Sequence, residues 1–307
     1  MARVLVAGGS GFIGRALVRA LLARGDRVTV LTRGEAGIHD GVPCQHWDPS
    51  ATTWAAFTEM YDAVVNLAGE QAVGVRYSDA VKQGILASRV QSTAWLVRAM
   101  EHAEHKPSVF VCASGVGFYG STLDTARVAE SAPSGRDFLA QVCVAWEAAA
   151  QRAEGLGVRV VRARIAAVFS EQGGGLQALL RPFKLFVGGP VGSGKQGFSW
   201  IHLDDLIAAL LRCCDDAALF GAVNVCAPEP LANAELSRII GELWSRPAFL
   251  RAPSFALKAL FGEGAEPVLG GQWAVPRALQ GVGFEFRYAD VRSALSAVLR
   301  AARERER

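Results

Sequence analysis

Residues 3–32, with the sequence RVLVAGGSGFIGRALVRALLARGDRVTVLT, combine two short apolar runs with a glycine-rich turn and an amphipathic segment. The first apolar run ends at Gly8, and Gly11 and Gly14 follow at intervals of three residues. An amphipathic run over residues 12–23 and a second apolar run over residues 28–31 come next. Strand, glycine turn, helix and strand within about 30 residues are what a dinucleotide-binding βαβ unit requires. The stretch predicts such a unit, and the alternative is a glycine turn that binds nothing.

Each of the three glycines has a predicted role in this unit. Gly8 allows a tight turn out of the strand, Gly11 leaves room for a pyrophosphate, and Gly14 allows the helix to pack closely. The first N–H groups of the helix and the positive end of its dipole then face the phosphates. The residues predicted to bind the cofactor here are Gly8, Ser10, Gly11, Phe12, Ile13 and Gly14.

The end of the second predicted strand indicates which dinucleotide the unit prefers. An NAD-specific unit carries Asp or Glu there to bind the ribose 2′-hydroxyl, whereas this strand ends in Thr32 and Arg33. Glu35 comes late, after Gly34. Because an arginine at this point can hold a 2′-phosphate, we predict NADP(H) rather than NAD(H). The alternative is that Arg33 is simply an exposed surface charge.

The composition is that of a compact globular protein. The 307 residues are 51% hydrophobic and 20% charged, which excludes a disordered chain and allows one large domain or two unequal lobes. The net charge of +3 gives no reason to expect nucleic acid as a partner. Apolar stretches stay short of the ~18 residues of a membrane span, and the chain begins directly with a predicted strand. We therefore expect no membrane segment, no targeting peptide and a cytoplasmic location.

The six cysteines form no C-x-x-C pair, and several of them lie within apolar runs. Buried, reduced thiols are the expectation for such cysteines in a cytosolic protein. The pattern indicates neither a disulfide framework nor a metal site. The cysteines are Cys44, Cys112, Cys143, Cys213, Cys214 and Cys226.

A buried strand that ends in small residues is predicted over residues 62–69. Its end, formed by Leu67, Ala68 and Gly69, would allow a cofactor to lie against the backbone. Asn66 is equally suited to bracing this turn and to contacting a ligand. We therefore include the three small-turn residues among the predicted cofactor-binding residues.

Strands and helices continue to alternate up to about residue 170. Helical patterns cover residues 79–102 and 138–153, and apolar strands cover residues 109–113 and 159–169. This alternation predicts an α/β fold with a doubly wound parallel sheet. Arg89, early in the first of these helices, is predicted to reach a phosphate, although an exposed helical arginine would show the same pattern.

The sequence changes character after residue 170, where long glycine-rich loops such as residues 188–194 appear. Asp204 follows a short apolar run and is the predicted N-cap of the next helix. We predict a Rossmann domain over residues 1–170. Residues 171–307 are predicted to form a smaller substrate lobe that is interleaved with it and closes over the cofactor cleft.

Several motifs together resemble the extended and atypical short-chain dehydrogenase/reductase superfamily. They are the glycine turn at 8–14, N-L-A-G at 66–69, S-G-V-G-F-Y-G at 114–120, and W-I-H at 200–202 with Asp205. More narrowly, the chain is similar to the YfcH-like "epimerase family protein" subgroup, often labelled nucleoside-diphosphate-sugar epimerase. The narrower likeness depends on S-R-V at 88–90, W-E-A-A at 146–149, G-G-P-V-G-S-G at 188–194, V-P-R-A-L at 275–279 and G-F at 283–284.

The resemblance implies a Rossmann fold with NADP(H) held near Thr32, Arg33, Leu67, Ala68 and Arg89. It leaves the substrate unsettled, and we expect a small polar molecule, for which a sugar nucleotide is one candidate. It also implies a monomer or a homodimer.

One departure from the superfamily concerns its Tyr-x-x-x-Lys pair. In that pair the lysine lowers the pKa of a tyrosine that acts as base, while a serine orients the substrate. In one alignment of this chain Glu147 replaces the lysine and Cys143 the tyrosine. In the other, Cys143 replaces the lysine and Leu139 the tyrosine. Neither alignment puts a tyrosine and a lysine at the two positions of the pair, and this weakens the prediction of standard hydride-transfer chemistry.

Three side chains are the candidate catalytic groups. By the resemblance, Ser114 is a hydrogen-bond donor to the substrate and Tyr119 is an acid. Alternatively, Tyr119 is a loop aromatic packed under the cofactor. His202 is either an acid or base with a pKa near neutrality or the residue that orients its loop. Cys143 is either a reactive thiol facing the nicotinamide or a buried inert one.

Two functions stay open at this point. The leading hypothesis is an NADP(H)-dependent oxidoreductase or epimerase-like enzyme that uses Ser114, helped by Tyr119 or His202, on a small polar substrate. The alternative is a non-catalytic NADPH-binding redox sensor or regulatory protein. The missing tyrosine–lysine pair favours the sensor, whereas the glycine-rich substrate lobe favours the enzyme.

Overall fold

The computed structural model describes residues 1–50 and 60–305 of the chain. Its β-strands, in chain order, are β1 (Arg3–Ala7), β2 (Arg27–Thr32), β3 (Gly37–His39), β4 (Val42–His46), β5 (Ala63–Asn66), β6 (Val109–Gly115), β7 (Arg127–Val128), β8 (Arg159–Ile165), β9 (Ala167–Phe169), β10 (Gly197–Phe198), β11 (Trp200–His202), β12 (Gly221–Val225), β13 (Leu231–Ala232) and β14 (Trp273–Ala274).

The α-helices are α1 (Phe12–Ala23), α2 (Asp79–His102), α3 (Phe138–Gln151), α4 (Gly175–Lys184), α5 (Leu203–Asp215), α6 (Asn233–Trp244), α7 (Ser254–Phe261), α8 (Glu266–Leu269), α9 (Arg277–Gly281) and α10 (Val291–Arg305). Single 3-10 turns cover Val116–Tyr119, Arg152–Leu156 and Gly262–Ala265. Within the described ranges no helix is both long enough and apolar enough to cross a bilayer.

Eight strands form one large sheet in the order β12, β8, β6, β5, β1, β2, β4, β3. Neighbouring strands are parallel, except that β3 runs antiparallel to β4 at one edge. Strands β2, β4 and β3 lie on one side of β1, and the later strands β5, β6, β8 and β12 lie on its other side. The structure therefore confirms the predicted α/β fold with a doubly wound, mainly parallel sheet, and it puts the switch point of the topology beside β1.

Helices cover both faces of the sheet, because successive side chains of a strand point to opposite faces. Val4 and Val6 of β1 belong to one buried cluster with residues of α1 and α5, such as Leu17 and Leu206. Leu5, between them, belongs to a second cluster with residues of α2 and α3. The near-continuous apolar strands of the sequence are thus explained by burial on both sides.

A third buried cluster joins Phe169 of β9 to residues from the chain beyond 170, such as Trp200, Leu236 and Leu295. This later part of the chain also returns to the main sheet, since β12 pairs with β8 and α5 packs in the same cluster as α1. This arrangement agrees with an interleaved second lobe. The division of the chain at residue 170 stays a prediction.

The single strand predicted over residues 159–169 is wrong, because the chain changes sheets at Ala166. The Ala166 N–H donates to the carbonyl of Val225 (3.1 Å) at the end of β12. Ala167 then donates to the carbonyl of Ser199 (3.2 Å), and β9 pairs with β11 instead of continuing β8. The apolar run over residues 165–169 conceals this change of partner.

The predicted N-cap at Asp204 is also wrong. Helix α5 begins at Leu203, and the Nδ1 atom of His202 accepts the N–H of Asp204 (3.1 Å). Asp204 itself lies in the first turn, where its carboxylate accepts a hydrogen bond from Arg287 (3.2 Å) and complements the helix dipole. A neutral imidazole nitrogen therefore takes the capping position that a carboxylate usually occupies.

Candidate cofactor-binding and active site

The carboxyl ends of four neighbouring strands meet at one edge of the sheet. Gly8 follows β1, Thr32 ends β2, Leu67 follows β5, and Ser114 lies near the end of β6. Because these strands are parallel neighbours, their ends lie side by side next to the switch point, which is where open α/β sheets bind ligands. The fold thus brings together candidate residues from four separate parts of the chain.

The glycine turn after β1 has no room for a side chain at Gly8 or at Gly14. Gly8 has a φ of +78°, and a Cβ added there would lie 2.8 Å from the backbone N of Ala68. The N–H of Gly11 donates to the carbonyl of Gly8 (3.0 Å) and closes the turn. A Cβ on Gly14 would overlap that same carbonyl. The predicted roles of Gly8 and Gly14 in turning and close packing therefore agree with the geometry.

A fourth glycine in this turn was missed by the sequence reasoning. A Cβ on Gly9 would lie 2.8 Å from both methyl groups of Val30 on β2. Gly9 therefore allows the turn to lie directly against the second strand. The signal for it was the G-G pair itself, of which only the first residue fits the three-residue spacing.

The amino end of α1 provides what an anionic group requires. The N-cap of α1 is Gly11, which has no side chain to accept the first-turn N–H groups. The first turn carries no acidic residue either. These donors and the positive end of the helix dipole are consequently available to a phosphate. The bare glycine surface and the uncapped helix together fit a dinucleotide pyrophosphate.

Three further predicted residues of this segment differ in their surroundings. Ser10 is exposed, and its carbonyl accepts a hydrogen bond from Nη1 of Arg15 (2.6 Å). Ile13 and Phe12 pack against the cluster that contains α1 and α5. Phe12 also adjoins Gly173, where an added Cβ would lie 3.1 Å from the ring. The glycine loop before α4 therefore lies against the first residue of α1.

The end of β2 presents a threonine and an exposed arginine. The hydroxyl of Thr32 accepts the N–H of Gly34 (3.0 Å), which turns the chain away from the sheet. Arg33 is exposed, and within residues 1–50 and 60–305 no hydrogen bond or ion pair engages its side chain. Its role toward a 2′-phosphate stays a prediction.

Asn66 braces the turn at the end of β5. Its Oδ1 accepts the N–H of Ala68 (3.1 Å), and its Nδ2 donates to the hydroxyl of Thr93 on α2 (2.9 Å). The side chain is fully buried, so both ends of the amide are satisfied inside the protein. Of the two roles that the sequence left open for Asn66, the geometry supports bracing.

Arg89 reaches from α2 to the same turn. Its guanidinium donates to the carbonyls of Glu70 (2.8 Å) and Ile85 (3.0 Å). A Cβ on Gly69 would lie 3.2 Å from the Arg89 guanidinium carbon. Burial lowers the pKa of Arg89, and the structure places its charge directly beside the small-residue turn. It is therefore not an ordinary exposed helical arginine.

A row of polar side chains crosses the sheet on the other side of this turn. Ser114 on β6 is in register with Arg164 on β8, and Arg164 is in register with Asn224 on β12. All three side chains are buried, although most of the buried residues around them in these strands are apolar. Residues opposite one another in a sheet point to the same face, so the three form one layer.

Glu147 of α3 covers this row and binds two of its members. The Ser114 hydroxyl donates to Oε1 of Glu147 (2.8 Å). Arg164 donates to both carboxylate oxygens, from Nε to Oε1 (2.8 Å) and from Nη2 to Oε2 (2.9 Å). The side chains of Arg164 and Glu147 are 4% and 5% exposed, so this bidentate ion pair is shielded from water.

Tyr119 belongs to the same network. Its hydroxyl donates to Oδ1 of Asn224 (2.6 Å) and accepts a hydrogen bond from Nη1 of Arg164 (3.0 Å). Burial raises the pKa of Tyr119, against the opposing effect of the Arg164 charge. The structure thus brings Tyr119 and Ser114 together through Arg164 and Glu147.

The face of α3 that lies over the strand ends contains neither tyrosine nor lysine. Glu147 contacts Ser114, the Cys143 thiol donates to the carbonyl of Gly115 (3.8 Å), and Leu139 adjoins Gly117. Both alignments of the missing pair use positions on this one face. Burial raises the pKa of Cys143 to about 11, which supports the inert thiol over the reactive one.

His202 has a structural environment. It caps α5, and its ring packs on Tyr288 with the centroids 4.0 Å apart. Burial lowers its pKa, although Asp204 and Asp205 act in the opposite direction. No contact in the described part of the chain joins His202 to Ser114 or Tyr119. The geometry supports the loop-orienting role of His202 over the catalytic one.

The sequence reasoning missed the partners that complete this site. The sequence patterns place Glu147 in a family motif and in the alignment of the tyrosine–lysine pair without indicating its partners, and they do not point to Arg164, Asn224 or Glu130. Glu130 accepts the N–H groups of Asn224 and Ala278, both at 3.0 Å. The available signal was a polar residue near the end of each of three strands, although in β8 it is one of three arginines. Among the described residues no group of three potential ligands could hold a metal ion.

Comparison with known proteins gives the family. The model of the NAD dependent epimerase/dehydratase family matches residues 4–226. The chain belongs to this family. A second model, a domain of unknown function called DUF1731, matches residues 252–298. The family assignment confirms the predicted likeness to epimerase-type short-chain dehydrogenases.

Relatives of the chain extend over almost its whole length. It is 40% identical over 302 residues to the chloroplastic epimerase family protein SDR39U1 homolog of Arabidopsis thaliana, covering 96% of this chain and 86% of the relative. It is 35% identical to epimerase family protein SDR39U1 of Mus musculus, covering 97% and 99%. The similarity therefore extends over both the Rossmann part and the C-terminal part of the chain.

Solved structures show the same fold. Human epimerase family protein SDR39U1 (isoform 2), solved with NADPH, superposes with a TM-score of 0.87 at 34% identity, covering 97% of this chain and 99% of that one. A nucleoside-diphosphate sugar epimerase from Corynebacterium glutamicum gives a TM-score of 0.79 at 32% identity, covering 97% of this chain and 58% of that one. The first of them, solved with NADPH, supports the expectation of a nicotinamide dinucleotide.

The close packing at Gly14 predicts a large effect of one methyl group. We expect Gly14→Ala to lower the free energy of unfolding by about 1–3 kcal/mol, because the new Cβ overlaps the Gly8 carbonyl. Gly155→Ala is the control, since nothing lies within 4 Å of its added Cβ, and it should change stability by less than about 0.5 kcal/mol. Urea denaturation measures both. Equal stability of the two variants would contradict the packing argument.

The buried ion pair predicts strongly non-additive effects. Arg164→Met leaves Glu147 as an unpaired buried charge and should cost about 3–5 kcal/mol of unfolding free energy, while the double variant with Glu147→Leu should recover most of it. Arg127→Met, in the exposed pair with Glu229, should cost less than about 1 kcal/mol. A double variant that is no more stable than Arg164→Met would show that the charges are not coupled.

Proposed function

We propose that this chain binds NADP(H) at the carboxyl edge of the sheet. The observation that carries the proposal is the glycine turn after β1, which excludes side chains and points the uncapped amino end of α1 at the same space. The human relative solved with NADPH supports it.

The proposed cofactor contacts come from three strand ends. The residues after β1 hold the pyrophosphate through their backbone, Thr32 and Arg33 bind the adenosine ribose and its 2′-phosphate, and Arg89 supplies a further charge near the β5 turn. The proposed cofactor-binding residues are Gly8, Ser10, Gly11, Phe12, Ile13, Gly14, Thr32, Arg33, Leu67, Ala68, Gly69 and Arg89.

The proposed reaction is that of an oxidoreductase or epimerase-like enzyme on a small polar substrate, with a sugar nucleotide as one candidate. When bound, the nicotinamide supplies hydride transfer. Ser114, at the edge where the substrate would meet the cofactor, holds the reacting oxygen in place. Tyr119 is proposed only to position this site and His202 only to orient its own loop, because both side chains are occupied by other protein groups.

A second candidate function is an NADPH-binding redox sensor or regulatory protein without turnover. It is favoured by the face of α3, where Leu139, Cys143 and Glu147 leave neither a tyrosine nor a lysine over the strand ends. In this case the second lobe, over residues 171–307, reports the state of the cofactor to a partner. Monomeric or homodimeric state and cytoplasmic location stay predictions under both functions.

Turnover distinguishes the two functions. Purified protein saturated with NADPH is incubated with a panel of carbonyl compounds and sugar nucleotides, and oxidation is followed at 340 nm, where NADPH absorbs. Reduction of one carbonyl compound, seen as loss of the NADPH absorbance, or epimerisation of one sugar nucleotide in the presence of NADP⁺, seen by NMR of the products, supports the enzyme if the rate is lost in Ser114→Ala. Tight NADPH binding without turnover of any compound favours the sensor.

The exposed arginine after β2 predicts the preference for the phosphorylated cofactor. Arg33→Ala should weaken NADPH more than tenfold, about 1.4 kcal/mol or more, and leave NADH nearly unchanged, because only NADPH carries the 2′-phosphate. Arg27→Ala, at the opposite end of the same strand and equally exposed, is the control. Fluorescence titrations with both cofactors measure the constants. Equal losses for NADPH and NADH would contradict the assignment of Arg33.

A further inference from the structure

The direction of every hydrogen bond in the buried polar row can be worked out from its far end. The Nδ2 group of Asn224 faces the carbonyl oxygens of Val275 (2.9 Å) and Val128 (3.5 Å). Carbonyl oxygens only accept, so this end of the amide must be its NH₂ group and the other end its oxygen. Oδ1 of Asn224 therefore has to accept, and it accepts the hydroxyl proton of Tyr119 (2.6 Å).

The next two links leave no alternative direction either. Having given its one proton to Asn224, the Tyr119 oxygen accepts from Nη1 of Arg164 (3.0 Å). A guanidinium has only donors, and Arg164 also donates to both oxygens of Glu147. A carboxylate so engaged has only lone pairs to offer.

Ser114 is the last link. Because the Glu147 carboxylate only accepts, the contact of 2.8 Å between Ser114 Oγ and Glu147 Oε1 requires the serine to donate. The neighbouring Cys143 thiol also lies beside Ser114, but its proton is directed at the carbonyl of Gly115 (3.8 Å) and does not compete for Glu147. The hydroxyl proton of Ser114 is thereby used in a hydrogen bond within the protein. Toward a ligand, the Ser114 oxygen can only accept a hydrogen bond through a lone pair.

We propose that Ser114 meets its ligand as a hydrogen-bond acceptor only, so that the site selects a group carrying an O–H or N–H. The ligand class is an alcohol, such as a hydroxyl of a sugar ring, in preference to the matching carbonyl compound. The proposal rests on the proposed function, in that the ligand lies beside the cofactor at this edge. Glu147, Arg164, Tyr119 and Asn224 are positioning residues, because they fix the Ser114 proton without reaching the ligand.

The physical basis of this selectivity is the cost of a mismatched oxygen. A carbonyl oxygen next to Ser114 would place the lone pairs of two acceptors against each other, which is repulsive. To donate to the carbonyl, Ser114 would have to break its hydrogen bond to the buried Glu147. An alcohol instead donates its proton to Ser114 and leaves the row unchanged. Sites built around one hydrogen-bond polarity reject ligands of the wrong polarity strongly.

Neutron diffraction of deuterated crystals of the protein without cofactor tests the proton arrangement directly. The expected result is deuterium between Ser114 Oγ and Glu147 Oε1, and between Tyr119 and Asn224. Deuterium on Ser114 that points away from Glu147 would overturn the proposal. This readout does not depend on any activity or on cofactor binding.

Ligand selectivity is tested with a matched pair of probes, cyclohexanol and cyclohexanone, on protein saturated with NADP⁺. Saturation-transfer NMR titrations measure the binding of each probe to the native protein and to Ser114→Ala. We expect the variant to weaken cyclohexanol about fivefold or more, which is the size of one hydrogen bond, and to leave cyclohexanone unchanged or tighter. Ser108→Ala is the control, because Ser108 precedes the same strand and its hydroxyl also donates one hydrogen bond.

The other possible outcomes distinguish failure of the acceptor role of Ser114 from failure of the proposed NADP(H)-binding function. Equal loss of affinity for cyclohexanone and cyclohexanol in Ser114→Ala would overturn the acceptor role. Native protein that binds cyclohexanone more tightly than cyclohexanol, or that does not bind cyclohexanol, would overturn it too. If NADP⁺ and NADPH themselves do not bind, the proposed function fails, and the neutron result still decides the direction of the Ser114 proton.

Discussion

The contact between two backbone turns, at Gly8 and at Leu67–Ala68, is the constraint on which the rest of the structure depends. The turns follow neighbouring parallel strands, and they approach so closely that a Cβ on Gly8 would lie 2.8 Å from the Ala68 nitrogen. Gly14 allows α1 to start directly on the Gly8 carbonyl, and Asn66 fixes the second turn from inside. Side chains are thereby removed from the edge where the family binds its dinucleotide.

The polar row beside these turns lies where the resemblance implies a tyrosine–lysine pair. The superfamily uses a tyrosine and a lysine on the helix that α3 represents, whereas this chain has a carboxylate bound to a buried arginine. A buried ion pair is a weak source of stability, since its attraction mainly repays the desolvation of both charges. Its effect here is to fix the direction of hydrogen bonds from Asn224 to Ser114.

The sequence was most informative where the structure depends on local rules. The glycine spacing, the helical period over residues 79–102 and the apolar strands predicted the fold, because backbone conformation and periodic burial are encoded by near neighbours. The pairing of Glu147 with Arg164 could not be predicted, since it depends on the register of β6 with β8 and on how α3 lies across them. The change of sheet at Ala166 depends likewise on distant partners, Val225 and Ser199.

The central claim is that the edge at Gly8 is a binding site for a phosphorylated nicotinamide dinucleotide and not merely a tight turn. Isothermal titration calorimetry of the native protein with NADPH tests this most directly, with NADH and with adenosine 2′,5′-bisphosphate as separate titrants. The account predicts one NADPH bound per chain, weaker binding of NADH, and competition between NADPH and the bisphosphate. The absence of binding heat at several temperatures for both dinucleotides would contradict it.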